Sequence, residues 1–174
     1  MDFLDLDCPT HVLFGVNAFE QLGQAVGDWG CQRAMIVSDP GIVTLGYPDK
    51  AIQLLQAQGI EATLFTGVHE NPSSADVIDG VKAALQYKPD MLIGLGGGSS
   101  MDCAKAINFV YTNGGVIQDY WGIGKADKPM LPMVAIPTTA GTGSETQSFA
   151  LISDAKTHVK MACGDKKATC RLAI

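Results

Sequence analysis

Residues 91–111, MLIGLGGGSSMDCAKAINFVY, decide the fold. Met91–Leu95 is a continuous apolar run, as expected of a strand buried on both faces of a parallel sheet. Gly96–Ser100 reads as a loop, and Met101–Tyr111 reads as a helix. The same alternation continues on both sides. Toward the N-terminus, Ser74–Gln86 carries Val77, Ile78, Val81, Ala84 and Leu85 at helical spacing, with Ser73 as N-cap and a break at Lys88-Pro89-Asp90. Ile60–Phe65 and Arg33–Ser38 read as strands, and Asp49–Gln58 as a helix stopped by Gly59. Asp39-Pro40-Gly41 reads as a loop. Ala18–Val26 has Phe19, Leu22, Ala25 and Val26 on one helical face, and Val12–Gly15 reads as a short strand. Toward the C-terminus, Asn113–Pro132 reads as an irregular stretch around Tyr120 and Trp121, and Met133–Ile136 as a strand. Phe149–Ile152 and Thr157–Met161 are expected to pair across Ser153–Lys156.

Strands alternating with helices at this spacing predict an α/β fold over residues 1–174, built on a parallel sheet with helices on both faces. No linker or internal repeat divides the chain. Right-handed crossovers bring the carboxyl ends of the parallel strands to one edge, where ligands bind in such folds. Three unusual segments follow strands directly: Asp39, Gly96–Ser100 and Thr138–Ser144.

Composition excludes several classes of function. At 47% hydrophobic and 17% charged residues the chain has the makings of a core, which excludes intrinsic disorder. No run approaches the roughly 18 to 20 apolar residues that span a bilayer. The net charge of −6 and the lack of a basic run argue against nucleic acid as a partner. Met1–Pro9 carries three aspartates and no basic n-region, so it does not read as a signal peptide. The 5 cysteines (Cys8, Cys31, Cys103, Cys163 and Cys170) are odd in number and have no C-x-x-C pair. They predict neither a disulfide framework nor a zinc site, and they suit a reducing cytoplasm. His11, His69 and His158 lie far apart and are not expected to bind metal. Glycine is in excess, at 20 of 174 residues, and six of them (94, 96, 97, 98, 141 and 143) are assigned to two loops after strands.

Those loops carry the chemistry. In Gly96–Ser100, glycines let backbone N–H groups approach a phosphate, and the following helix adds unpaired donors and partial positive charge. No G-K-[ST] follows, so this is not a P-loop, and Met101 stands where the usual dinucleotide fingerprint has glycine. A tight helix–sheet turn is the alternative. Asp39 can accept hydrogen bonds from ribose hydroxyls and would repel a 2′-phosphate, favouring NAD over NADP; on the local sequence alone, a turn-forming Asp before Pro-Gly is the stronger reading. Thr138–Ser144 gathers four hydroxyls suited to phosphate or sugar. Taken alone, Asn71 reads as a turn residue and Lys160 as a surface lysine.

Together, Gly96-Gly97-Gly98-Ser99-x-x-Asp102-x-x-Lys105 and Pro137-Thr138-Thr139-x-Gly141-Thr142-x-Ser144-Glu145 resemble the iron-containing, group III alcohol dehydrogenase family, from about Pro9 onward. The resemblance implies a Rossmann-like, dehydroquinate-synthase-like N-terminal domain that binds NAD. It implies that Asp39 contacts the adenine ribose and that Asn71 lies near the middle of the cofactor. Gly96, Gly97, Gly98 and Ser99 would form the pyrophosphate loop, with Asp102 behind it. Thr138, Thr139 and Thr142 would close over the dinucleotide, and Lys160 would reach the nicotinamide ribose. Phe149 stands where some members have Asn, and that contact is not carried over.

In the family a C-terminal helical domain supplies an Asp and three His ligands to a divalent metal, iron or zinc, which polarises the oxygen of a small alcohol or carbonyl substrate. That segment would follow Arg171–Ile174. The chain is therefore expected to be the cofactor domain of a larger dehydrogenase, with no catalytic or metal-binding residue of its own and no turnover alone. A homo-oligomer is one expected state, because the inner face is free to meet a second copy. Two other readings stay open: another branch of the superfamily, such as a maleylacetate reductase or a polyol dehydrogenase, and a stand-alone nucleotide-binding module.

Overall fold

The computed structural model describes residues 8–174; the acidic start, Met1–Asp7, lies outside the described residues. In chain order the elements are β1 (His11–Val12), a 3-10 turn (Ala18–Gln21), α1 (Leu22–Gly27), β2 (Arg33–Val37), α2 (Pro40–Thr44), α3 (Tyr47–Gln56), β3 (Glu61–Phe65), α4 (Ser74–Tyr87), β4 (Met91–Gly96) and α5 (Gly98–Asn113). There follow a 3-10 turn (Ile117–Tyr120), β5 (Gly122–Ile123), β6 (Met133–Pro137), β7 (Phe149–Ser153), β8 (Lys160–Gly164), a 3-10 turn (Lys166–Ala168) and β9 (Leu172–Ala173).

Six strands form one sheet in the order β1-β9-β6-β4-β2-β3, and every pairing in it is parallel. A three-stranded sheet, β5-β8-β7, pairs β7 with β8 antiparallel, from Phe149↔Gly164 to Ser153↔Lys160.

The strand period of two sorts the central side chains onto two cores. Met35, Val37, Leu92, Met133 and Ala135 face one core, with residues of α4, α5, β7 and β8. Ala34, Ile36, Met91, Ile93, Leu95, Val134 and Ile136 face the other, with Leu22 and Val26 of α1 and Ala51 and Leu55 of α3. Strands covered on both faces must be apolar at every position, which is why they read as unbroken runs. Ser100–Phe109 of α5 is buried throughout, because α5 lies between the six-stranded sheet, α4 and β7. No helix among the described residues is long and apolar enough to cross a membrane.

Several boundaries differ from the sequence reading. Asp39-Pro40-Gly41 opens α2: Asp39 is its N-cap and Pro40 its first residue, both helix-start signals that also suit a turn. Gly98–Ser100 belongs to the first turn of α5 and Gly96 ends β4, so the loop contracts to Gly97. Gly94 lies within β4, where a Cβ would stand 2.9 Å from the Met101 Cα; it permits close packing of helix on sheet and belongs to no loop. Ala18–Val26 divides into a 3-10 turn and α1. The strand expected at Thr157–Met161 starts at Lys160, because Asp154 accepts from the N–H groups of Lys156 and Thr157 and holds a longer turn. β5 and β9 are too short to leave a period in sequence.

Candidate functional site

From β2 the sheet grows to β3 on one side and to β4, β6 and β9 on the other. The switch in direction falls between β2 and β4, and a crevice opens there at the carboxyl ends of the strands. Asp39 follows β2, and Gly96–Gly98 runs from the last residue of β4 into α5, so the two segments meet at that crevice.

Gly97 is the N-cap of α5 and no side chain caps the helix. The N–H groups of Ser100 and Met101 bond the Gly97 carbonyl, which leaves those of Gly98 and Ser99 as free donors beside the positive end of the helix. Gly96 turns the chain at φ +144°, where a Cβ would lie 2.5 Å from Ser100 Oγ. The hydroxyl segment lies against this turn. A Cβ at Gly97 would stand 3.3 Å from Thr139 Oγ1, and one at Gly98 would stand 3.3 Å from Ser144 Oγ and 3.4 Å from Thr142 Cβ. The Thr138 N–H donates to the Gly96 carbonyl at 2.9 Å. Thus 45 or so residues of sequence separation close into one cradle of backbone donors and hydroxyls, shaped by missing side chains.

Asp39 is half-buried at its rim. Its Oδ1 accepts from the Ile42 N–H at 3.1 Å and its Oδ2 from Ser100 Oγ at 3.2 Å. Ser99, Asn71 and Lys160 form a second rim. The Asn71 N–H donates to Ser99 Oγ at 3.2 Å, and Lys160 Nζ donates to Asn71 Oδ1 at 3.4 Å. Asn71 adopts a left-handed conformation, φ 53°, which Asn tolerates better than most residues.

Asp102 sits apart from the cradle opening. It is buried on α5, where Oδ2 accepts from the Leu151 N–H at 3.1 Å and Oδ1 has no hydrogen-bond partner. Burial raises its pKa, against the opposing pull of Lys105. Lys105 is fully buried, and its Nζ donates to the carbonyls of Ser144, Gln147 and Phe149 at 2.5, 2.6 and 3.2 Å. Burial lowers its pKa. Lys105 had no site role in the sequence reading, and Ser100 and Ser144 entered it only as members of their hydroxyl-bearing segments. For Lys105 a signal existed: a lone cation in the apolar run Met101–Phe109 must find acceptors in the core.

Beside the cradle lies an open cleft of about 810 Å³, lined by Leu13, Phe14, Ile42, Leu45, Thr138 and Thr139 among others. Among the described residues no group of three or more His, Cys, Asp or Glu could hold a metal ion.

Comparison with known proteins matches residues 9–174 to the family described as iron-containing alcohol dehydrogenase. Alcohol dehydrogenase 4 of Schizosaccharomyces pombe is 42% identical over 158 residues, covering 91% of this chain and 37% of that protein. The NAD-dependent methanol dehydrogenase of Bacillus methanolicus is 39% identical over 166 residues, covering 95% and 44%. A crystal structure of a 1,3-propanediol oxidoreductase superposes with a TM-score of 0.92 at 32% identity, covering 99% of this chain and 45% of that one. A sulfoacetaldehyde reductase from Bifidobacterium kashiwanohense, solved with NAD+, superposes with a TM-score of 0.86 at 26% identity, covering 100% and 46%. The chain spans less than half the length of these relatives.

Proposed function

The chain belongs to the iron-containing alcohol dehydrogenase family, and on that premise we propose that residues 1–174 are one NAD-binding α/β domain of a dehydrogenase acting on a small alcohol or the corresponding carbonyl compound. The observation that carries the reading is the meeting of the segments after β4 and β6, beside the switch point, with Gly97 and Gly98 facing Thr139, Thr142 and Ser144 across a gap that any Cβ would narrow. A dinucleotide fits this cradle by its chemistry: a pyrophosphate needs close backbone donors, and a ribose needs an acceptor such as Asp39.

In this proposal the N–H groups of Gly98 and Ser99 and the hydroxyls of Thr138, Thr139 and Thr142 hold the phosphates, with Gly96 forming the turn. Asp39 accepts from the adenine ribose, and the base enters the cleft at Ile42 and Thr138. Asn71 and Lys160 hold the ribose toward the nicotinamide, and Asp102 backs the loop. NAD, when bound, accepts or returns the hydride. The chain's own work is to fix its orientation and screen its charge. The family's divalent metal, iron or zinc, finds no donor set among the described residues, so no step is assigned to it or to a catalytic residue here. Self-association through the inner face is part of the proposal. The free cysteines, with Cys103, Cys163 and Cys170 buried, support a cytoplasmic setting.

Calorimetry with the 174-residue chain tests the reading. NAD is expected to bind more tightly than NADP, and at a hundredfold excess over Kd to add about 2.7 kcal/mol of stability. Preference for a different nucleotide, or no binding, overturns it.

A further inference from the structure

We propose that Lys105 is a positioning residue: its ammonium, from the core, sets the hydroxyl segment against the glycine turn. Gly98, Asp102 and Lys105 of α5 are four and three residues apart, so they line one face of the helix. All three meet the same stretch of chain. Gly98 faces Thr142 and Ser144, Asp102 accepts from the Leu151 N–H, and Lys105 donates to the carbonyls of Ser144, Gln147 and Phe149. One helix therefore carries both the phosphate-facing turn and the clamp that holds the opposite wall.

The opposite wall has few ties of its own. Gly141 and Gly143 have positive φ, 84° and 70°, and Thr138–Thr142 is exposed. The Thr146 and Gln147 N–H groups bond the Gly143 carbonyl, and the Ser144 N–H bonds Thr142 Oγ1. A buried ammonium with three N–H bonds to carbonyls satisfies both sides at once, whereas removal of the donors leaves the buried Ser144 carbonyl and the half-buried Gln147 and Phe149 carbonyls without that donor. Among the described residues the ammonium forms no ion pair with a carboxylate, so its three donors are all given to this segment.

The structural half of the proposal is tested without ligand, and the functional half rests on the reading of the site as a dinucleotide cradle. Lys105→Met keeps the length of the side chain and deletes the donors; Lys105→Gln keeps an N–H2 group on a shorter stem. Amide hydrogen exchange at Thr146 and Gln147 is expected to be about tenfold faster in Lys105→Met, and less accelerated in Lys105→Gln, with the Leu92 and Ile93 amides unchanged. Equal loop exchange in a folded variant overturns the proposal. The wild-type chain gives a check that needs no variant: the Lys105 ammonium hydrogens should be protected together with the loop amides. Solvent-rate exchange of that ammonium beside a protected loop overturns the proposal as well.

Binding adds a readout that a general packing defect would not give. Lys105→Met is expected to weaken NAD about tenfold and to leave adenosine, which has no phosphate, unchanged. Equal weakening of both ligands, or unchanged NAD affinity, removes the positioning role. Failure of the wild-type chain to bind NAD refutes the dinucleotide reading instead, and the exchange comparison still decides whether Lys105 clamps the segment.

Discussion

The Ser100 hydroxyl donates to Asp39 Oδ2 at 3.2 Å, and so ties the end of β2 to the first turn of α5 across 61 residues. The other oxygen of Asp39 caps α2 at the Ile42 N–H. Asp39 thus joins the two strand ends that flank the crevice, and its carboxylate keeps lone pairs free for a further donor. Substitutions there change structure and charge together, and they have to be chosen to separate the two.

Asp39→Asn keeps an acceptor for the cap and removes the charge. NADP should gain affinity relative to NAD, because the repulsion of a 2′-phosphate is lost. Asp39→Gly should shift the ratio the same way but lose the side-chain cap; Gly is itself tolerated at N-caps, so the extra cost in thermal stability is a few tenths of a kcal/mol, about 0.3. Calorimetry with both cofactors checks this, and an unchanged ratio in Asp39→Asn removes Asp39 from the site.

The glycines of the cradle should separate stability from binding. Gly96→Ala forces a Cβ to 2.5 Å from Ser100 Oγ at φ +144°. It should cost about 1–3 kcal/mol in thermal unfolding. Gly97→Ala meets only the Thr139 side chain, with Oγ1 nearest at 3.3 Å. It should leave the unfolding midpoint near wild type while weakening NAD. A stability loss in Gly97→Ala as large as in Gly96→Ala contradicts this assignment.

Asp154 gives a pH dependence of known sign. The Gln118 side-chain amide, with the Thr157 and Lys156 groups, lowers its pKa to about 2. A carboxyl lowered in the folded state stabilises above its unfolded pKa and loses that contribution as pH falls through the folded value. The window is therefore from pH 3.8 down to about 2. Asp154→Asn should melt below wild type at neutral pH, and the two curves should converge through that window. Parallel curves across it exclude the turn as the source.

Asp102 has the opposite sign. Burial raises its pKa in the folded state, so its ionisation opposes folding as pH rises above the unfolded value of 3.8. Asp102→Asn should therefore raise the unfolding midpoint at neutral pH, with the gain shrinking in acid. A lower midpoint at neutral pH would show that the bond from the Leu151 N–H needs the charge.

The candidate site was legible in the sequence to different depths. Gly96–Gly98 and Thr138–Thr142 stand out because small or hydroxyl-bearing residues form runs there, and a run is visible without coordinates. Asn71 and Lys160 were visible only through family resemblance, since each alone suits an ordinary turn or surface. The hydrogen bonds joining Ser99, Asn71 and Lys160 depend on three loops converging, which local patterns do not encode. Asp39-Pro40-Gly41 reads as a loop in sequence yet opens α2, because the residues that start a helix also favour turns.

By itself the sequence determined the α/β alternation, the buried parallel strands and the edge where a ligand would bind, because burial on both faces requires unbroken apolar runs and crossover handedness orders the strand ends. Only the tertiary structure decided which post-strand segments touch. The meeting of Gly98 with Ser144 and the burial of Lys105 beneath three carbonyls depend on strand order and on packing across tens of residues. Contacts of that kind are set by the free energy of the assembled core, and no short window of sequence contains it.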